Sequence, residues 1–255
     1  MVRPKMHLGQ HFLKDENIAR KIVGCISKDI INILEVGPGK GALSKYLLEN
    51  PSLNSYFFEI DNEAVFYLQQ HYPSISSKLI AEDFLKTDLS IIPVPFAIIG
   101  NFPYNISSQI LFRTIENRNS IVELLGMFQK EVAERIASPP GSKKYGILSV
   151  LLKAWFDIEY LFTVNESVFY PSPKVKSAVI RLRRNDTIRL NCNEDLFMTT
   201  VKTAFNQRRK TLRNSLKGII PAGKSASPEI QKFLEKRAEQ LNVNDFIKLA
   251  CYIAV

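Results

Sequence analysis

The chain has 255 residues, enough for one large domain or for a medium domain with a small appendage, and its 45% hydrophobic content can support a real core. Its formal net charge of +9 points to a polyanionic partner such as nucleic acid, although many proteins of ordinary function are also basic. No apolar run of about 18 residues and no secretory leader is visible, so we expect a cytoplasmic protein without a membrane span.

Residues 1–14 predict a basic extended arm that has no secondary-structure period. Such an arm is usually a frayed terminus, but Leu8, Phe12 and Leu13 give this one apolar side chains to bury. A packing helix is then predicted from Asp15 and Glu16, because acidic residues are favourable at a helix start and apolar residues follow at helical spacing.

Residues 29–36 predict a buried strand, which is followed at once by Gly-Pro-Gly-Lys-Gly at 37–41 and by a helical stretch at 42–48. Glycines let a backbone approach a ligand closely, and a helix amino terminus directs N–H donors into the same space. A nucleotide-type cofactor is therefore expected beside Gly37. The loop alone does not identify the cofactor, because dinucleotide-binding folds use a related arrangement.

The next two predicted strands, 55–61 and 78–81, each end in carboxylates. Glu59 stands where an acid can accept hydrogen bonds from both hydroxyls of a ribose. Glu82 and Asp83 follow the shorter strand, where an acid can receive the amine of the cofactor's adenine.

The stretch 100–107, Gly-Asn-Phe-Pro-Tyr-Asn-Ile-Ser, directly follows the apolar run 96–99 and predicts a rigid polar corner at a strand end. Its Asn-x-Pro-Tyr pattern resembles the catalytic motif of S-adenosylmethionine-dependent methyltransferases that modify the exocyclic amine of adenine or cytosine. Asn101 and the Pro103 carbonyl can accept the two N–H bonds of the amine while Tyr104 stacks on the base. The alternative is a plain turn that closes a strand.

Four strand ends thus deliver Gly37, Glu59, Asp83 and Asn101 in order. This spacing predicts an α/β fold, a doubly wound sheet that is mostly parallel with helices on both faces and binds ligands at its carboxyl edge. The resemblance of the corner implies, more narrowly, a Rossmann-like class I S-adenosylmethionine-dependent methyltransferase. A nicotinamide enzyme would explain the glycine loop and Glu59, but it gives no reason for the corner at 101–104.

Beyond the corner we predict helices at 108–114, 129–137 and 148–156 and strands at 121–128, 158–164 and 177–182. The segment Phe-Tyr-Pro-Ser-Pro-Lys at 169–174 is stiffened by prolines, and Phe169 could supply a second stacking face for a flipped adenine. Core packing is the alternative for this side chain.

Helical periodicity replaces strands after about residue 185, so we predict a methyltransferase domain at 1–185 and a small all-helical RNA-binding domain at 186–255. Residues 196–228 hold seven Lys or Arg and no acid. The predicted RNA contacts are Arg208, Arg209, Lys210 and Arg213. Their phosphate contacts would not read sequence and would weaken with salt, whereas the alternative is an ordinary solvated face.

Nearly the whole chain resembles the ribosomal RNA adenine dimethyltransferase family. The motifs that carry the resemblance, in family order, are Leu-Gly-Gln-His-Phe-Leu, Glu-Val-Gly-Pro-Gly-Lys-Gly, Glu-Ile-Asp, Asn-Phe-Pro-Tyr-Asn-Ile-Ser, Phe-Tyr-Pro-Ser-Pro-Lys-Val and Ala-Phe-Asn-Gln-Arg-Arg-Lys-Thr-Leu-Arg-Asn-Ser-Leu. The family more often has Asn where this chain has His11, and Leu where it has Phe102.

The resemblance implies S-adenosyl-L-methionine as cofactor, with dimethylation of two adjacent adenines in the terminal hairpin loop of small-subunit rRNA on an immature small subunit. It also implies that His11 and Leu13 contact the cofactor, that Gly37 approaches its amino-acid part, that Glu59 binds its ribose, and that Asp83 rather than Glu82 binds its adenine. Asn101 would lie between cofactor and substrate.

Two alternatives stay open. One is an adenine methyltransferase of the large-subunit, macrolide-resistance type, and the other is a mainly non-catalytic ribosome-assembly factor. We expect a monomer. We expect no metal, because Cys25, Cys192 and Cys251 lack CxxC spacing and the three histidines do not cluster with carboxylates.

Overall fold

The structure is a computed structural model that describes residues 2–5 and 8–254. Residues 1, 6 and 7 of the predicted arm and residue 255 of the predicted helical domain lie outside the described residues. The strands are β1 Phe12–Leu13, β2 Asn32–Val36, β3 Asn54–Phe58, β4 Leu79–Ile80, β5 Phe96–Asn101, β6 Ile121–Gln129, β7 Phe156–Val164, β8 Phe169–Tyr170 and β9 Ser177–Arg184. The helices are α1 Glu16–Val23, α2 Ser44–Leu48, α3 Asn62–His71, α4 Ser107–Glu116, α5 Lys130–Ala137, α6 Ile147–Lys153, α7 Glu194–Asn206, α8 Leu212–Ser215, α9 Pro228–Glu235 and α10 Val243–Ala254.

The main sheet has the strand order β4-β3-β2-β5-β6-β9-β7. Its pairs from β4 to β6 are parallel, and β9 joins β6 in the antiparallel direction. Chain order reverses between β2 and β5, because β3 lies on one side of β2 and β5 on the other. Such a switch point opens a crevice at the carboxyl ends of the strands. The predicted fold class, a mostly parallel sheet with helices, is confirmed.

Both faces of the sheet are buried, as a doubly wound sheet requires. Ile33, Ile99 and Leu125 face a core that also contains apolar side chains from α1, α2 and α3. Successive strand residues point to opposite faces, and their neighbours Ile98 and Leu124 are equally inaccessible to solvent. Since apolar residues fill both faces, the strands read in the sequence as nearly continuous hydrophobic runs.

The start of α1 follows from its first residues. Asp15 has an extended backbone and accepts hydrogen bonds from the N–H groups of Asn17 and Ile18, so it caps the helix where the acidic pair predicted a start. By contrast, the helix predicted at 148–156 ends three residues early, and Phe156 already begins β7.

The chain divides into two compact units. The first comprises Met1–Ala133 and Ile158–Arg184, and the second comprises Glu134–Asp157 and Asn185–Val255. The second unit thus contains residues 134–157, which the sequence-based division assigned to the methyltransferase domain. The functions given to the two domains stay predictions.

The second unit has its own aromatic core. Trp155 packs edge-on against Phe197 of α7, and Phe205, at the other end of α7, packs against Phe246 of α10. Tyr145, from the loop before α6, contacts Phe205 and is fully buried. In the described part of the chain, no helix is long and apolar enough to span a membrane.

Candidate active site

A cavity lies where β2, β3, β4 and β5 end, and we call it the strand-end cavity. It brings together most of the predicted catalytic and cofactor-binding residues: His11, Gly37, Glu59, Asp83, Asn101, Pro103 and Tyr104. These side chains are contributed by segments far apart in sequence, so the parallel sheet is what assembles them.

The glycine loop forms one wall of the cavity. Gly37 has a backbone φ of +72°, which residues with a side chain rarely adopt. A Cβ atom built at Gly37 would meet no atom within 4 Å. The backbone therefore borders open space. At Gly39 the constraint is different, because a Cβ would lie 2.9 Å from the Phe12 ring of the arm.

Glu59 follows the last residue of β3 and is 4% exposed. Its Oε2 accepts the N–H of Gly39 at 2.9 Å, and its Oε1 accepts the N–H of Asp61 at 2.9 Å. Burial raises the pKa of the Glu59 carboxyl above its ordinary value, and the two backbone donors oppose this change. The two hydrogen bonds hold the Glu59 carboxyl in one orientation at the cavity wall.

Asp83 and Glu82 both reach the cavity, and their contacts differ. Asp83 Oδ1 accepts the N–H of Leu85 at 2.9 Å, which fixes its side chain in the turn after β4. Glu82 is exposed, and its Oε2 accepts the hydroxyl of Thr87. Asp83 is thus held by a backbone donor, whereas Glu82 is held by a side-chain hydroxyl.

Asn101 is the last residue of β5, and its amide is oriented by the arm. Its Nδ2 donates to the His11 carbonyl oxygen at 2.8 Å. No hydrogen bond to Oδ1 is present among the described residues, so this oxygen is available as an acceptor. The sequence predicted this acceptor role, but not the partner that orients the amide.

The other two corner residues are held by their own neighbours. The Pro103 carbonyl already accepts the Ile106 N–H at 3.2 Å and the Ser107 hydroxyl at 3.3 Å, so a substrate N–H would have to share it. Tyr104 is hydrogen-bonded through its hydroxyl to Ser177 Oγ at 2.6 Å. Burial raises the pKa of the Tyr104 phenol, so a neutral ring faces the cavity.

The arm is attached to the first unit at two places. Strand β1 pairs with β8 in the antiparallel direction and forms a small sheet that was not predicted from the sequence. Nearer the start, Lys5 Nζ and Gln10 Nε2 both donate to the Asp61 carboxylate, at 2.6 and 3.2 Å. Burial acts to raise the pKa of Asp61, but these hydrogen bonds outweigh it and the pKa lies below its ordinary value.

His11 lies between the arm and the corner. Its Nδ1 is 2.7 Å from the Pro171 carbonyl oxygen, and because a carbonyl only accepts, Nδ1 carries the proton. The His11 ring is 5.4 Å from the Tyr104 ring. His11 therefore lines the strand-end cavity beside Tyr104.

Two predicted site residues do not reach the strand-end cavity. Leu13 is 6% exposed and borders a smaller cavity with Glu35, Gly37 and Asn101. Phe169 is 1% exposed and packs in the core, where its strand partner is Leu13. This position matches the packing alternative, and stacking on a base would require the Phe169 ring to leave the core.

The predicted RNA contacts lie in the second unit, after α7. Arg209, Lys210 and Arg213 are exposed. Arg208 is half-buried, and its Nε donates to Glu239 Oε2 at 2.7 Å. Only three of the four are therefore placed as open cations.

Sequence reasoning missed Glu35, Asp61 and Ser177. Glu35 is fully buried beside the glycine loop, accepts the Ser44 hydroxyl at 2.7 Å, and has its pKa raised by burial to about 8. A carboxylate inside a buried apolar strand was the available signal. Asp61 belongs to the Glu-Ile-Asp motif, but its role in holding the arm appears only in its contacts with Lys5 and Gln10. Ser177 appears only in its contact with Tyr104. Within the described ranges, no group of three or more His, Cys, Asp and Glu side chains could hold a metal ion.

Comparison with known proteins identifies the family. A protein-family model described as "Ribosomal RNA adenine dimethylase" matches residues 1–254. The chain belongs to this family. A relative in Flavobacterium johnsoniae, named "Ribosomal RNA small subunit methyltransferase A", is 56% identical over 251 residues, which cover 97% of this chain and 95% of the relative.

Solved structures agree with the ribosomal RNA adenine dimethylase fold. A dimethyladenosine transferase from Plasmodium falciparum has a TM-score of 0.77 and 26% identity, covering 94% of this chain and 96% of its own. The 23S rRNA methyltransferase ErmE has a TM-score of 0.69 and 24% identity, covering 94% and 99%, and it supports the fold alone. The chain is a class I S-adenosylmethionine-dependent methyltransferase.

The residues of the strand-end cavity fit S-adenosyl-L-methionine, the cofactor of this methyltransferase. Gly37 leaves open space beside the loop, Glu59 offers a fixed carboxyl suited to hydroxyl groups, and Asp83 offers a second one suited to an amine. The cofactor supplies an electrophilic methyl group on a sulfonium sulfur.

Proposed function

We propose that this protein transfers methyl groups from S-adenosyl-L-methionine to N6 of two adjacent adenines in the 3′-terminal hairpin loop of small-subunit (16S) rRNA. The product is N6,N6-dimethyladenosine, formed during late assembly of the small subunit. The observation that carries the proposal is the Asn101 amide, held by the arm with an acceptor oxygen available beside the Tyr104 ring.

The chemistry follows from what limits the reaction. The adenine amine is a poor nucleophile because its lone pair is delocalised into the ring. Asn101 Oδ1 can accept one N–H of this amine and favour the electron distribution that attacks the methyl carbon. The bound cofactor would supply the methyl carbon: as its bond to nitrogen forms, its bond to sulfur breaks and leaves a neutral thioether. The methylated amine would then release one proton to solvent. A fixed acceptor is worth more than a mobile one, because its orientation is settled before the reaction.

Substrate placement would use Tyr104. Its hydroxyl is hydrogen-bonded to Ser177 Oγ, which restrains the ring at the lining of the cavity. Stacking on an aromatic ring is worth about 1–3 kcal/mol per base. This contribution helps to offset the few kcal/mol that extruding a nucleotide costs. A second stacking contact from Phe169 remains a proposal that requires the ring to move.

We further propose the immature small ribosomal subunit as the physiological substrate, a cytoplasmic location and a monomeric enzyme. The name of the bacterial relative supports the choice of the small subunit over the large one. Exposed Arg209, Lys210 and Arg213 would bind RNA phosphates without reading sequence.

The test is methyl incorporation from labelled S-adenosylmethionine into undermethylated small subunits, large subunits and naked small-subunit rRNA in parallel. The modified nucleotide is identified by mass. We expect dimethyladenosine in small-subunit particles only. Label in large-subunit RNA would instead favour an enzyme of the macrolide-resistance type. Tight particle binding without label would favour an assembly factor that has lost the reaction.

A further inference from the structure

Arg208 in the second unit is engaged in internal contacts. Besides its bond to Glu239, its Nη2 donates to the Lys143 carbonyl oxygen at 2.5 Å and lies 3.5 Å from the Ser142 carbonyl oxygen. The backbone of Glu239 takes part in the same arrangement, because its carbonyl accepts the Gly141 N–H at 2.7 Å. Arg208 and Glu239 therefore hold the loop 139–146 by hydrogen bonds against the residues that directly follow α7.

The fastened loop is cationic. It contains Lys143 and Lys144 and no acidic residue. Lys144 pairs with Glu134 at 2.5 Å, whereas Lys143 is exposed and forms no ion pair with the described residues. The Lys143 carbonyl accepts a hydrogen bond from Arg208, which directly precedes the exposed cation Arg209 in the chain.

We propose that loop 139–146 forms one phosphate-binding surface together with Arg209, Lys210 and Arg213, and that Arg208 positions this loop instead of contacting RNA. The inference rests on the proposed function as an RNA methyltransferase. It reassigns Arg208, which the sequence placed among the phosphate contacts, and it adds Lys143.

The residue types fit this division of roles. A guanidinium has a planar fork of donors that can reach a carboxylate and a carbonyl at once, whereas an ammonium is a compact point charge. Glu239 compensates the charge of Arg208, so this side chain adds little to the field that a phosphate experiences. Lys143 and Arg209 have no such acidic partner among the described residues.

The test uses full-length variants and measures binding to undermethylated small subunits over a salt series. Lys143→Gln and Arg209→Gln should each make the slope of log affinity against log salt shallower by about 1, as expected for one lost phosphate contact. Lys232→Gln removes an exposed cation of α9 and serves as the control that leaves the slope unchanged.

Two further variants separate positioning from direct contact. Glu239→Gln makes the protein more positive, so a simple charge effect would tighten binding, whereas release of the loop weakens it. Arg208→Lys keeps the charge and loses the fork, so binding should weaken and amide hydrogen exchange at Gly141 should accelerate. We expect weaker binding for both variants.

The inference is overturned if Lys143→Gln leaves the salt slope unchanged while Arg209→Gln makes it shallower. It is also overturned if Glu239→Gln tightens binding. If Arg209→Gln also leaves the slope unchanged, the proposed RNA-binding role of this face fails with it. Lys143 is exposed, so its variant reports on binding even if a change at Arg208 or Glu239 unfolds the unit.

Discussion

At the scale of single residues, the active corner depends on a backbone group in the arm. The His11 carbonyl accepts a hydrogen bond from Asn101 Nδ2–H, and the Asn101 side-chain oxygen accepts none from the described residues. An amide that could rotate would present a donor as often as an acceptor. If Asn101 acts as proposed, the arm supports catalysis through its backbone carbonyl at His11 and not through a side chain.

Replacing Asn101 by Ala should lower kcat by about 10²- to 10³-fold, the usual effect of removing one preorganised polar group. The affinity for S-adenosylmethionine should change little, because Gly37, Glu59 and Asp83 are untouched. Single-turnover methylation and calorimetric cofactor binding measure the two quantities. His11→Ala keeps the backbone carbonyl that orients Asn101, so it should lose less turnover than Asn101→Ala, although the loss of its predicted cofactor contact can weaken cofactor binding. Unchanged turnover in Asn101→Ala would refute the assigned role.

The buried Glu35 makes stability depend on pH. Burial raises its pKa to about 8, so the folded state holds the proton more tightly than the unfolded state does. The contribution of protonated Glu35 to the free energy of unfolding is fully present below the ordinary carboxyl pKa and is lost as pH rises toward about 8. The free energy of unfolding of the wild type should therefore fall over this range.

Glu35→Gln keeps the shape of the side chain and removes the titration. We expect the variant to gain stability relative to the wild type between pH 5 and pH 8.5, by a few kcal/mol at most, since one pKa unit corresponds to about 1.4 kcal/mol. Denaturant unfolding followed by far-ultraviolet circular dichroism at several pH values measures the difference. A constant difference across this range would contradict the account.

At the scale of elements, the two central strands make room for the corner. The Phe102 ring lies on Gly100 of β5 and Gly126 of β6, which are partners in the sheet register. A Cβ at Gly126 would come within 2.1 Å of the Phe102 ring. The absence of a side chain at Gly100 and Gly126 therefore makes room for the Phe102 ring.

Gly126→Ala should therefore displace the Phe102 ring, and with it the residues 101 and 103 on either side. Overpacking of this kind costs about 1–3 kcal/mol. Thermal unfolding and methyl transfer should both report the loss. Phe102→Leu in the same chain shortens the side chain and should restore both properties. If the double variant is as impaired as Gly126→Ala alone, the contact between the ring and the strand is not the cause.

The elements that the sequence predicted well are those with a local signature. Strand β2, the glycine loop and the carboxylates that follow β3 and β4 each combine an apolar run with a neighbouring polar residue, so their order alone implied the sheet. Strands β1 and β8 have two residues each, too few for any period, and they pair across more than half of the chain. Their pairing and the burial of Phe169 are consequences of tertiary contacts, as is the membership of 134–157 in the second unit.

At the scale of the whole molecule, the residues proposed for chemistry and those proposed for RNA binding belong to different compact units. Glu59, Asp83 and Asn101 lie in the first unit, and the cations after α7 lie in the second. If the assignments are right, substitutions should separate binding of cofactor from binding of RNA. The net charge of +9 does not show which unit binds RNA, because it is a property of the whole chain.

We predict that replacing Arg209, Lys210 and Arg213 together by Gln weakens binding to small subunits and makes the salt slope shallower by about 3, near 0.9 for each lost phosphate contact. Cofactor affinity should be unchanged. A control in which exposed Lys28, Lys232 and Arg237 become Gln lowers the net charge by the same amount. Because counterion release depends on local contacts, the control should retain the slope. Equal slopes for the two triple variants would mean that overall charge, and no particular face, attracts the RNA.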